Sequence, residues 1–153
     1  MKFNTNKLEG VKVSPIFENE NYDSKLLEYT KSKELFIGKF NEIYVNLPYN
    51  GEKEILIGLG KRNELEEDQV REVFFKLVKV LAKHKEFEAQ ITLPKLENIS
   101  TQSIVNAAVE GALHATYKFD KYKSDRKDFP EITINLETEE KIDNIEEIVN
   151  EAF

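Results

Sequence analysis

Cysteine is absent from this chain of 153 residues. That excludes disulfides, thiolate metal sites and cysteine nucleophiles, and it fits a reducing cytosol. Histidine is almost as scarce, with two in all. His84 falls near the end of a long helical pattern, where the helix dipole favours a cation. His114 lies four residues after Glu110, on the same helix face. Zinc needs three or four ligands in defined geometry, so both histidines read as structural or surface residues and no metal ligand is assigned. Long apolar runs are missing too. None approaches the ~20 residues of a membrane span, and Met1–Lys7 has no signal-peptide core. The expectation is a cytoplasmic protein with no membrane partner. Positive charge is in deficit, with 22 Lys and Arg against 29 Asp and Glu, a formal net charge of −7. Such a balance disfavours nucleic acid and anionic membranes as partners.

What is present supports one folded domain. The length matches a single unit of about 100–200 residues, large enough to build a core without staples. A hydrophobic fraction of 40% with ten Phe supplies that core, and 33% charged residues supply a solvated exterior. No internal repeat, low-complexity run or linker interrupts it.

Val11 and Val13 alternate with polar residues as a strand that stops at Pro15. A short helix is expected around Ser24–Tyr29, and a short strand at Leu35–Ile37. Ile43, Val45 and Leu47 alternate, and Pro48–Gly51 form a turn. Ile55-Leu56-Ile57 is a continuous apolar run, fitting a strand covered on both faces. Asn63 and Glu66 have the spacing of a capping box. Behind them Val70, Val73, Phe74, Leu77, Val78 and Leu81 form one helical stripe. Phe87, Ala89, Ile91 and Leu93 alternate as another strand, ended by Pro94. A helix over Thr101–Thr116 presents small residues, among them Ala107, Ala108, Gly111, Ala112 and Ala115, suited to close approach to a sheet. Ile132, Ile134 and Leu136 alternate again, and Ile142, Ile145, Val149 and Ala152 mark a last helix. Strands alternating with helices predict an α/β fold, a mixed, mainly parallel sheet flanked by helices.

Gly58-Leu59-Gly60-Lys61 sits between a strand and a helix, where a phosphate loop would sit. The spacing departs from a Walker loop, which needs Ser or Thr after the lysine where Arg62 stands, and position 63 is not the third glycine of a dinucleotide loop. A tight turn requiring glycine explains the same residues. Gly58, Gly60 and Lys61 remain the candidate ligand-binding turn. Ser100, Ser103 and Ser124 have no neighbouring base that would make a nucleophile. The acidic run Glu137, Glu139, Glu140, Asp143, Glu146, Glu147 and Glu151 reads as a solvated helix face. Between Tyr117 and Lys127, Lys118, Lys121, Lys123, Arg126 and Lys127 outnumber Asp120 and Asp125. Aromatics interleaved with such bases can bind single-stranded nucleic acid. They can equally anchor a connector by packing under lysine stems.

The order of these segments resembles one family. Ile57–Lys61 (I-G-L-G-K), a helix, a strand, a small-residue helix ending at Glu110–Leu113 (E-G-A-L), then Tyr117–Lys123 (Y-K-F-D-K-Y-K) are similar to the N-terminal domain of leucyl, or cytosol, aminopeptidases. The likeness covers essentially the whole chain. It implies a macro-domain-like α/β domain preceding a separate catalytic domain, in which two divalent metals, zinc or manganese, activate water against the first peptide bond. It also implies a homo-hexamer to whose assembly the N-terminal domains contribute. The family's metal-ligand motif, of the type N-T-D-A-E-G-R, is nowhere in these residues, so no catalytic, cofactor-binding or metal residue is carried over. Residues 1–153 are expected to be one non-catalytic domain, inactive alone. Its partners would be its own catalytic domain and other subunits. The alternatives are a nucleotide- or ADP-ribose-binding module and a DNA-binding domain.

Overall fold

The computed structural model describes residues 1–5, 7–122, 130–142 and 144–152, and the side chains of 118–122 are not described. Six strands and four α-helices follow in the order β1 (Lys2–Thr5), β2 (Val11–Phe17), α1 (Lys25–Ser32), β3 (Ile43–Asn46), β4 (Glu54–Gly60), α2 (Glu67–Lys83), β5 (Glu88–Leu93), α3 (Thr101–Tyr122), β6 (Thr133–Thr138) and α4 (Ile145–Ala152). The strands form one sheet in the order β1-β6-β5-β2-β4-β3. Every pairing is parallel except that of β3 with β4. The mixed, mainly parallel sheet flanked by helices is therefore observed. Among the described residues no helix is long and apolar enough to cross a membrane.

The continuous apolar run does what its pattern implies. Ile55 and Ile57 enter the main core, while Leu56 joins Ile16, Leu27 and Phe36 on the opposite side. Alternate residues of a strand face opposite ways, so α1, which carries Leu27, covers one face over β2 and β4. Helices α2, α3 and α4 line up on the other, α2 beside β4 and α4 beside β1. All six residues of the α2 stripe are buried, each worth about 1.5–3 kcal/mol of hydrophobic stabilisation when fully covered. The face bearing α1 is polar elsewhere. Asn4, Asn135, Gln90, Lys12, Glu54 and Asn46 stand in register across all six strands.

Several local expectations change. Strand β1 has no counterpart in the sequence reading. Strand β2 continues through Pro15 to Phe17, because its ladder with β5 ends at Val13. A proline is tolerated where one side of a strand is unpaired. Leu35–Ile37 is not a strand. Leu35 N–H donates to Thr30 O at 2.9 Å, and from Ile37 on the chain wraps a carboxylate: the N–H groups of Ile37, Gly38 and Lys39 converge on Glu42 Oε1 at 3.1, 3.1 and 2.8 Å. The cap of α2 is Glu66, not Asn63, and Gln69 accepts from the Glu66 N–H at 3.0 Å. Arg62–Glu64 form a single 3-10 turn before it. Phe87 precedes β5 and is exposed. Helix α1 begins where expected, with Ser24 Oγ accepting from Leu27 N–H at 3.1 Å.

The small-residue face of α3 makes its closest approach to a helix rather than to the sheet. A Cβ on Gly111 would lie 2.3 Å from the Arg71 carbonyl oxygen of α2. Helix α3 also runs on to Tyr122, beyond the expected end at Thr116.

Candidate functional site

Gly58 and Gly60 lie inside β4 rather than in a loop after it. A Cβ on Gly58 would come within 2.0 Å of the Lys39 carbonyl oxygen, and Gly60, at φ +73°, faces Phe40. Glycine is needed here because the 38–42 segment crosses the strand in contact. Its hydrogen bonds also consume the amides a phosphate would use. Gly58 N–H donates to Glu42 O at 2.8 Å and Gly60 N–H to Gly38 O at 2.9 Å. Lys61 is exposed. The next α-helix starts only at Glu67, and its first turn already carries the carboxylates of Glu67 and Asp68 beside the capping Glu66. A helix N-terminus so supplied with negative charge offers little to an anion.

Parallel strands open a crevice at their carboxyl ends, the usual ligand position in such sheets. Here Arg62 bridges those ends. Its guanidinium pairs with both oxygens of Glu20 at 2.6 and 2.8 Å and donates to Lys95 O at 2.8 Å. It also lies 4.3 Å over the Phe17 ring. Tyr22 Oη accepts from Phe17 N–H at 2.8 Å. The hydrogen bonds from Arg62 hold Glu20 below the usual carboxylate range, and burial raises the Tyr22 phenol. In the sequence Arg62 stood out only as the residue that breaks a Walker pattern.

A concavity lies elsewhere, along α2. It is a groove of about 740 Å³, lined in part by Asn41 and His114. Lys76, Lys79 and Lys83 line it together with Phe75. Their spacing puts the three lysines on one helical stripe. Lys76 Nζ donates to Asn41 O at 2.7 Å, Lys79 Nζ lies 5.4 Å from the Phe75 ring centre, and Phe75 meets the His114 ring at 5.4 Å. Arg71, on the rim, has its own acids in Glu67, Asp68 and Glu110. Of the groove's residues only His114 was weighed from the sequence, as a possible metal ligand. The groove draws on three separate segments, and the one readable signal was the lysine spacing.

The other expected features take structural places. Glu110 bonds Arg71 rather than His114, and His84 is the C-cap of α2. Among the described residues no group of three or more His, Cys, Asp or Glu could hold a metal. Ser100 Oγ accepts from Ser103 N–H at 3.1 Å at the start of α3, a capping role. The acidic run divides: Glu137 is in β6, and only Glu146, Glu147 and Glu151 of the described acids lie on the exposed face of α4. Between these, Glu139 accepts from Lys95 N–H and Glu140 from Thr101 Oγ1. Tyr117 is 65% exposed and so is no anchor. The side chains of Lys118, Phe119, Asp120, Lys121 and Tyr122, the segment 123–129 with Ser124, and Asp143 lie outside the described residues.

Comparison with known proteins gives this architecture relatives. The model of the cytosol aminopeptidase family, N-terminal domain, matches residues 7–126. A probable cytosol aminopeptidase of Treponema denticola is 42% identical over 153 residues, covering 99% of this chain and 32% of the relative. One from Clostridium tetani is 32% identical over 157 residues, covering 99% of this chain and 33% of the relative. The chain thus spans about a third of the length of these relatives. Among solved structures, a tomato leucine aminopeptidase K354E mutant superposes with a TM-score of 0.70 at 12% identity, over 99% of this chain and 35% of that one. The bottromycin maturation enzyme BotP in complex with Mn gives 0.64 at 14% identity, over 94% of this chain and 29% of that one. These two likenesses establish the fold.

Proposed function

This chain belongs to the cytosol aminopeptidase family, and from that we propose that residues 1–153 are its non-catalytic N-terminal domain, serving assembly or regulation of a leucyl aminopeptidase. The observation that carries the reading is the match of residues 7–126 to the family's N-terminal domain rather than to a catalytic one. The parent reaction would release N-terminal amino acids from peptides, in the cytosol, with two divalent metals, zinc or manganese, held in a separate catalytic domain. The residues described here do not fit such a centre. His84 caps a helix, His114 packs against Phe75, and among the described residues neither belongs to a group of three or more His, Cys, Asp or Glu that could hold a metal. The partners in this reading are the catalytic domain and further subunits of a homo-hexamer, and a macro-domain-like character is part of the same proposal.

The nucleotide or ADP-ribose alternative at Gly58, Gly60 and Lys61 has less support, because the glycine amides are bonded within the chain and carboxylates occupy the nearest helix start. The DNA-binding alternative rests on lysines at 118, 121 and 123, which lie outside the described side chains. A chimera tests the leading reading. This chain is joined to the C-terminal two thirds of the Treponema denticola relative, and sedimentation and leucyl-amide hydrolysis are measured. An assembled, active oligomer that loses assembly or regulation when residues 1–153 are removed is expected. Identical assembly and kinetics without them would overturn the proposal.

A further inference from the structure

We propose that the groove along α2 is a docking site for an acidic amphipathic helix of a partner protein. This rests on different residues from the family reading and stands apart from it. The chain carries a net charge of −7, yet the groove concentrates cations. Lys76, Lys79 and Lys83 line it against one carboxylate, Glu72, because Arg71 is matched by its own three acids. Lys7, Lys53, Arg62 and Lys95 each have a carboxylate partner. Among the described residues no carboxylate pairs with Lys79 or Lys83. Both are exposed, and the half-buried Phe75 and Val80 line the same groove on either side of the lysine stripe.

Those features select the occupant. The stripe from Glu72 to Lys83 is about 16 Å long at 1.5 Å per residue, roughly three turns. A helix laid along it could place apolar side chains on Phe75 and Val80 and carboxylates opposite the lysines, the helix-in-groove mode of recognition. A nucleic acid would match the lysines but leave Phe75 and Val80 unused.

The test is fluorescence anisotropy with three labelled helical peptides: one with leucines on one face flanked by glutamates, one with lysines replacing the glutamates, and one with serines replacing the leucines. The Glu/Leu peptide is expected to bind, weakening as salt rises, while the other two do not. The Lys79→Glu/Lys83→Glu variant should lose at least tenfold in affinity for the Glu/Leu peptide and gain affinity for the Lys/Leu peptide. Phe75→Ala should weaken the Glu/Leu peptide without the charge reversal. Circular dichroism checks that the lysine variant keeps its fold, as expected for two exposed positions. Absence of Glu/Leu binding, or Glu/Leu binding indifferent to the lysine substitutions, overturns the proposal. Two further results overturn it in favour of another occupant. One is tighter binding of a single-stranded oligonucleotide to the same lysines. The other is self-association of the chain that the lysine variant abolishes.

Discussion

At Gly111 a single missing methyl group sets the spacing of two helices. Alanine in a helix interior normally stabilises by about 1 kcal/mol relative to glycine. Here the added Cβ would stand 2.3 Å from a backbone carbonyl on α2, which cannot swing aside as a side chain could. Gly111→Ala is therefore expected to destabilise, by about 1–3 kcal/mol as overpacking does, seen as a lower urea midpoint. A higher midpoint would mean that α2 and α3 do not meet there. The Glu20–Arg62 pair gives a second prediction at this scale. Arg62 lowers the folded-state pKa of Glu20 from the usual 4.5, chiefly through its hydrogen bonds. The stabilisation is thus complete above about pH 4.5 and drains away as pH falls through the folded value. Arg62→Met should be less stable than the parent at pH 7, and the gap should narrow below pH 4.5. A gap independent of pH would assign the role of Arg62 to its stacking on Phe17 and its hydrogen bond to Lys95 O. Both carboxylate and guanidinium are partly exposed, so screening keeps the charge contribution small.

Among the elements, α2 shows why some boundaries were readable and others were not. Its buried stripe was visible as periodicity, because burial of that face is what makes the helix stable. Its start was not, since two capping-box spacings lie three residues apart, Asn63 with Glu66 and Glu66 with Gln69. Burial decides between them. Leu65 and Val70 are both buried on either side of the observed cap, in the N′ and N4 positions of a hydrophobic staple. Leu65→Ala should then cost about 2–5 kcal/mol, while Asn63→Ala, at an exposed position, stays within about 0.5 kcal/mol. Equal losses in thermal or urea unfolding would return the cap to Asn63. The supposed strand at Leu35–Ile37 failed for a related reason. Its apolar residues read as a short strand, but Leu35 N–H donates to Thr30 O and Ile37 N–H to the Glu42 carboxylate, partners that no periodicity announces.

Over the whole molecule, the α/β class and the mainly parallel sheet were legible because strand and helix patterns alternate from β4 onward. The strand order was not. Strand β1 is four residues long and pairs with β6, across almost the full chain, and no local pattern encodes such a partner. The glycines of β4 were singled out in the sequence, and in the fold they sit where the 38–42 segment crosses the strand in contact. The groove was hidden because Asn41, Phe75 and His114 meet only in the folded chain. Family membership, by contrast, could be read from the order of short motifs, and comparison bears it out. It leaves the claim that matters most for function, that peptide hydrolysis belongs to residues outside this chain. Hydrolysis of leucyl-p-nitroanilide by the purified 153-residue chain, with Mn²⁺ or Zn²⁺ added, addresses that claim most directly. No turnover above the metal-only blank is expected, and metal-dependent turnover that follows the chain through purification would contradict it.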